Sequence, residues 1–584
     1  MIVFPDASTR AGKGFLDQYN AISHDIFILI WACFMAGCLV QYVRACTRDG
    51  VAPFGLLAAM RWVTRHVRRY PLVALLFLIY SIGLVATATW YYPEIIGWYA
   101  DVDQGDLLNH FRFVPSFVGE TMKRNDFRFF PLAHQDLHVL SWFTPYVKVW
   151  AMVNALEAIA VVILIVRFVR LILHASVPGL PLLVTLLLLL QSSFLESFYQ
   201  FIFAERLLSL CFVAYAYSYL AWIKNRGKRY LYSALAAALL GVFLKEISLM
   251  LFVLPAALRA AYVLAMQGRQ GWQRLRLERW IGWLLFGTVV AYGLLTALPS
   301  FYSGLDSYAS RSSSFFTSGV RSWFLVGFVL VRSVLIFSRR CTPSLLDAFN
   351  AGALAYGIAL YRFKGFSELC DPSGSHCDNY LVMPVLLVAA IDLAYLYGLV
   401  VLRFSAERRI APRVWSGVVL AGCAGLAVLE QYQGSGVLQA AIPMAQRQES
   451  WRNAYAAMKQ MAVQDRESGK PVNIIFSRQS WFNKRRHLHR LVFNRLIRFD
   501  PLSGVYDVML GTGRGDRYNP KVGDYLLDID GRLEIVKTVD SCWLFNQICY
   551  ELVYQSGSGG KEGRVFRAVK DGANDAESNK PIRS

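Results

Sequence analysis

The chain has 584 residues, of which 55% are hydrophobic and only 17% charged, and its mean hydropathy is +0.38. A soluble protein of this length carries more charge and divides into several domains, so composition excludes that class. The net charge of +20 does not point to nucleic acid, and no such partner is expected, because many of the basic residues gather in short segments between long apolar runs.

A helix needs roughly 20 mostly apolar residues to cross a hydrocarbon core about 30 Å thick. By that measure the sequence predicts spans near 24–44, 70–90, 149–166, 179–195, 204–222, 230–244, 246–265, 280–299, 321–338, 346–361, 380–402 and 413–431. The stretch 230–265 is too long for one crossing, and Lys245-Glu246 divides it. Few ionisable residues fall inside these spans and no internal repeat is visible. A transporter or flippase would show both.

Lys and Arg mark the cytoplasmic side. Segment 44–69 holds Arg44, Arg48, Arg61, Arg65, Arg68 and Arg69 against Asp49 alone, and alternate later loops repeat the bias. Parity then puts both termini, loop 91–148 and the region after 431 outside the cytoplasm. No basic segment precedes the first apolar run and no small-residue cleavage site follows it, so no cleaved signal peptide is expected.

Loop 91–148 carries Asp101, Asp103 and Asp106 just beyond the predicted end of a span. Leu107, Leu108, Phe111, Val114, Phe117, Val118 and Met122 follow at helical spacing, which suits a helix lying at the membrane interface. An acidic cluster there can take the proton from a hydroxyl, since neighbouring carboxylates raise one another's proton affinity. The plain alternative is a solvated acidic loop. His134 and His138 have the spacing to share a helix face, but without the Glu of a zinc-protease motif they are weak metal ligands.

Further along, Glu196, Glu205 and Arg206 flank predicted spans on the same side. Lys245 between apolar neighbours is costly near a membrane unless paired or set against an anion such as a lipid phosphate. Arg311, Arg321, Arg362 and Lys364 are further cations on that side, and any one of them is more often a headgroup or snorkelling residue than a substrate ligand.

Ten cysteines are present. Cys370 with Cys377, and Cys542 with Cys549, are spaced for disulfides, and both pairs fall outside the cytoplasm by parity. The C-terminal region 432–570 reads as a small α/β domain with a helix over Glu449–Arg466 and a strand over Val472–Phe476. A hairpin over Tyr525–Val539 would turn at Asp530-Gly531. Gly511 to Asp516 reads as a turn, 556–563 as a loop, and 571–584 as a disordered polar tail.

Residues 70–430 resemble the GT-C superfamily of integral-membrane glycosyltransferases. The matching pieces are Asp101-Val102-Asp103-Gln104-Gly105-Asp106, Arg128-Phe129-Phe130-Pro131-Leu132, Lys245-Glu246 and Asn379-Tyr380-Leu381-Val382-Met383-Pro384. The chain departs from the family by an extra span before the acidic loop. The resemblance implies a polyprenyl-phosphate sugar as donor, a glycan, lipid or protein as acceptor, and inversion at the sugar. It implies Asp103 as base, with Asp101 and Asp106 beside it. Lys245, Arg206, Arg128 and Arg311 would serve the donor phosphate, and Glu196, Glu205 and Glu246 would be supporting acids. No cofactor is required, and a divalent metal is compatible. The expected place is a bacterial inner membrane, with residues 1–431 embedded and the C-terminal domain periplasmic. A lipid-linked polysaccharide polymerase or ligase, a transporter or flippase, and a non-catalytic scaffold are the rivals.

Overall fold

The computed structural model describes residues 5–51, 55–91, 124–144, 146–200, 202–224, 227–306, 319–364, 380–406, 411–432, 436–477, 487–501, 503–529, 533–538, 542–557 and 562–571. They fall into two compact units. Residues up to 86, 124–140 and 148–440 make the first, and 87–91, 141–147 and 441–571 make the second.

The first unit is helical. In chain order it contains α1 (Arg10–Arg48), α2 (Leu56–Arg69), α3 (Pro71–Thr87), α4 (Gln135–Ser141), α5 (Val147–Leu173), α6 (Leu180–Leu189), α7 (Ser192–Tyr199), α8 (Ala204–Ile223) and α9 (Lys228–Gly241). There follow α10 (Leu249–Gly271), α11 (Arg276–Tyr292), α12 (Leu298–Ser303), α13 (Val320–Phe337), α14 (Leu345–Lys364), α15 (Met383–Ala406) and α16 (Pro412–Tyr432). Among the described residues seven helical stretches are long and apolar enough to cross a membrane: Arg10–Arg48, Ala204–Ile223, Leu249–Arg274, Arg276–Ser303, Val320–Phe337, Tyr380–Phe404 and Arg413–Tyr432. The pair Ala58–Arg69 and Pro71–Thr87, bent by 111°, makes an eighth if it is one span. The chain is a multi-pass helical membrane protein.

Four of the roughly twelve apolar runs that could each fill a bilayer fall outside this set. The run 179–195 is not one helix: α6 has ten residues and stops at Leu190, and α7 restarts at Ser192. Arg321 supports that stop. Its Nη1 donates to Leu187 O at 2.5 Å and to Gln191 Oε1 at 2.9 Å, giving the freed helix end a cationic partner. The run 230–244 yields only the 14 residues of α9. The other two, α5 and α14, carry Asn154 and Glu157, and Asp347 and Asn350, within their length. Segment 44–69 is not simply a loop either, since α2 occupies its second half. Its Arg61, Arg65, Arg68 and Arg69 on a helix bent sharply from α3 suit an interfacial position. Pro71 sets the bend, because the residue before a proline is driven out of helical geometry.

In the second unit α17 (Val437–Glu467), which begins just before it, packs from Trp451 onward against an eight-stranded sheet. The strands are β1 (Asn473–Ser477), β2 (Arg495–Asp500), β3 (Val505–Gly511), β4 (Tyr525–Ile529), β5 (Val536–Lys537), β6 (Trp543–Phe545), β7 (Ile548–Ser556) and β8 (Gly563–Asp571), in the order β3-β2-β1-β4-β8-β7-β6-β5. β1 is parallel to β2 and β4, and the remaining pairs are antiparallel. The two-residue period of strands sorts the side chains. Ile474, Phe476, Leu496 and Tyr525 join Trp451, Ala454 and Met458 of α17 on one face. Ile475, Ile497 and Leu526 join Tyr506, Phe545, Tyr550 and Phe566 on the other. Gly563 lets α17 approach β8 closely, since a Cβ there would lie 2.4 Å from Ser450 O.

The expected hairpin over Tyr525–Val539 is not formed. β4 is a central strand held by β1 and β8, and β5 pairs with β6 instead. The expected helix and first strand are present, and residues 511–516 do turn, with Gly511, Gly513 and Gly515 all at positive φ. The Cys542–Cys549 disulfide is formed, with Cα atoms 5.5 Å apart.

Candidate functional site

The site is built where one non-helical segment meets two interruptions of the helix bundle. The first interruption is 242–248, between α9 and α10. Gly241 permits it to be tight, because a Cβ there would lie 2.1 Å from the Phe252 ring. Ser248 Oγ donates to Val242 O at 2.8 Å and to Lys245 O at 2.7 Å, satisfying carbonyls that the broken helix leaves open. The second interruption is the turn between α7 and α8, which places Glu205 and Arg206 at the start of α8.

Segment 124–134 lies against these breaks. Leu132 N donates to Phe243 O at 3.1 Å, and Phe129 meets the Phe243 and Tyr292 rings edge-on at 6.0 and 5.7 Å. Asn125, Phe127 and His134 hold φ of 54°, 65° and 66°, the left-handed region that side-chain-bearing residues rarely adopt. Each such residue costs about 1–3 kcal/mol and persists only where surroundings over-determine it. Here Ser300 Oγ accepts from Phe127 N at 2.8 Å, Ser303 Oγ donates to Asn125 O at 2.8 Å, and Asn20 Nδ2 donates to Asn125 Oδ1 at 3.1 Å. His134 takes this conformation just ahead of α4, outside the helix.

Ion pairs fill the junction. Arg206 reaches Glu157 on α5 at 2.5 Å and Asp136 on α4, with 1% of its side chain exposed. Lys245 pairs with Glu205, their side chains 10% and 5% exposed. Arg128 Nε donates to Glu246 Oε1 at 2.9 Å and its guanidinium lies 4.7 Å from the Phe130 ring centre. Arg124 pairs with Asp126 at 3.1 Å. Four carboxylates (Asp136, Glu157, Glu205, Glu246) therefore face three cations (Arg128, Arg206, Lys245), a formal balance of −1. Glu196 is drawn in from α7, where its Oε2 accepts from Tyr380 N at 3.1 Å, and Tyr380 stacks on Phe203 at 3.4 Å.

Six of the candidate residues are thus placed in ion pairs or hydrogen bonds: Arg128, Glu196, Glu205, Arg206, Lys245 and Glu246. Asp101, Asp103, Asp106, Arg311, Cys370 and Cys377 lie outside the described residues, as does the amphipathic stretch behind the acids. Two partners were missed by the sequence reading, Asp136 and Glu157. Glu157 had a legible signal, an acid inside an apolar run. Asp136 had none, because it looks like any loop acid until α4 turns it toward Arg206. Arg321 is not a headgroup residue. It is 3% exposed and held by Glu430, with Nη2 to Oε2 at 2.9 Å.

Among the described residues no group of three or more His, Cys, Asp or Glu side chains is arranged to hold a metal. No family model, curated protein or solved structure matches the chain.

Proposed function

We propose that the chain is an inverting membrane glycosyltransferase that moves a sugar from a polyprenyl-phosphate carrier to an acceptor hydroxyl outside the cytoplasm, in a bacterial inner membrane with the C-terminal domain periplasmic. The observation that carries the reading is the ion-pair junction of Arg128, Lys245 and Arg206, with Arg128 on the same loop in sequence as Asp101, Asp103 and Asp106. Transfer needs a base for the acceptor proton and cations for the departing lipid phosphate. The cations differ in reach. Arg128 has 19% of its side chain exposed, Lys245 10% and Arg206 1%. Arg128 and Lys245 are the phosphate contacts in this reading, and an arriving phosphate competes with Glu246 and Glu205 for them. Arg206, saturated by two carboxylates, is a positioning residue. Asp103 takes the acceptor proton.

The test uses purified protein in lipid with radiolabelled polyprenyl-phosphate sugars. Wild type transfers label, and Asp103→Asn loses roughly two to four orders of magnitude in rate while remaining folded. Wild-type rates for Asp101→Asn, Asp103→Asn and Asp106→Asn alike would leave the acidic loop as a solvated one and sink the reading.

A further inference from the structure

Asp392 lies on α15, twelve residues from either end of the span Tyr380–Phe404, or about 18 Å of helix on each side. It is 0% exposed. Asn350 of α14, 2% exposed, donates from Nδ2 to Asp392 Oδ1 at 3.1 Å. Two polar atoms are then left over. Asp392 Oδ2 and Asn350 Oδ1 are both buried without a hydrogen-bond partner among the described residues.

Among the described residues no unengaged cation faces this carboxylate. The charged groups that act on Asp392 are Asp347 and Arg332. Those two are engaged with each other, Arg332 Nε and Nη2 each donating to Asp347 at 2.8 Å. Ser344 N and Oγ take up Asp347 Oδ2 as well, both at 2.7 Å. Helix α6, also packed on α15, has no ionisable side chain. An isolated carboxylate in such surroundings is far costlier than a neutral acid.

One proton resolves both orphan atoms. A carboxylic acid is a donor as well as an acceptor. We propose that Asp392 is an intramembrane proton-binding site. With the proton on Oδ2, that oxygen donates to Asn350 Oδ1 while Asn350 Nδ2 donates to Asp392 Oδ1. The result is a two-bond acid–amide pair that joins α14 to α15. The proton comes from water and no other bond changes. The site is separate from the ion-pair junction, and its occupancy does not depend on the glycosyltransferase reading.

Infrared spectroscopy of the full chain in lipid, with 13C-labelled aspartate, tests it. At neutral pH the wild type should show a carbonyl band of a protonated carboxyl that is missing from Asp392→Asn. Asn350→Ala, which removes the partner and leaves the acid, should shift that band to higher frequency. Absence of any band dependent on Asp392 at neutral pH would overturn the proposal. So would a band that Asn350→Ala leaves unmoved, because the pair would then not exist.

Discussion

Arg206 and Glu157 meet at 2.5 Å across α8 and α5, with 1% and 14% of their side chains exposed. The same guanidinium holds Asp136, so one buried cation faces two carboxylates. Removing one partner of a buried pair is costly because the others stay buried with their charge. Arg206→Ala should therefore destabilise the protein by about 3–5 kcal/mol, read as a lower unfolding temperature in detergent. Adding Glu157→Gln should recover part of the loss. An unchanged unfolding temperature for Arg206→Ala would mean the junction is not load-carrying in solution.

Arg128 is the most exposed of the three cations at the junction. If it meets the donor phosphate, Arg128→Ala should raise KM for the lipid-linked sugar. The loss of a charged hydrogen bond predicts a change of roughly 10- to 100-fold. Arg128→Lys should keep the charge and restore part of it. Steady-state kinetics over a donor series measures this, and an unchanged KM would remove Arg128 from the donor site.

Gly241 and Gly37 are both helical glycines with opposite surroundings. A Cβ on Gly241 would enter the Phe252 ring, whereas one on Gly37 meets nothing within 4 Å. Alanine improves helix propensity by about 1 kcal/mol at either place. At Gly241 overpacking of about 1–3 kcal/mol opposes it. Gly241→Ala should lower the unfolding temperature, and Gly37→Ala should hold or raise it. The same sign for both would show that the bundle yields at the α9–α10 break.

His487 gives the second unit a pH dependence. It is 2% exposed, stacked on Tyr455 at 3.8 Å and close to the Trp451 and Tyr91 rings. Burial, with Arg490 adding to it, lowers its pKa to about 3 from 6.5. The unfolded chain then binds the proton more readily than the folded one. Stability from this group is intact above pH 6.5 and declines as pH falls toward about 3. Asp524, whose pKa burial raises above 3.8, acts in the opposite sense as pH rises above that value. Trp451 lies beside His487, so tryptophan fluorescence during denaturation at several pH values reads the effect. His487→Phe should flatten the dependence across this window, and an unaltered slope would assign it elsewhere.

Much of the secondary structure was readable locally. The helix of α17, the strand β1 and the turn at 511–516 each follow from residues within a few positions of one another. The hairpin expected at Tyr525–Val539 failed for the complementary reason. Asp530-Gly531 is a good local turn signal, but both edges of β4 are taken by β1 and β8, the former some fifty residues away in sequence. In the membrane unit, counting apolar residues could not foresee that Arg321 would end α6 inside a continuous apolar run.

The amino-acid sequence by itself determined the class of this protein. Burying a helical backbone in hydrocarbon demands long apolar stretches, and those are written residue by residue. It also made a disulfide between Cys542 and Cys549 readable, because seven residues of separation suffice to bring the two together. Only the tertiary structure decided which charges are spent on one another. Arg206 with Asp136 and Glu157, Lys245 with Glu205, and Asn350 with Asp392 join residues 40 to 70 positions apart. A buried charge is tolerated only through its partner, and the partner is chosen by packing, which no local pattern encodes.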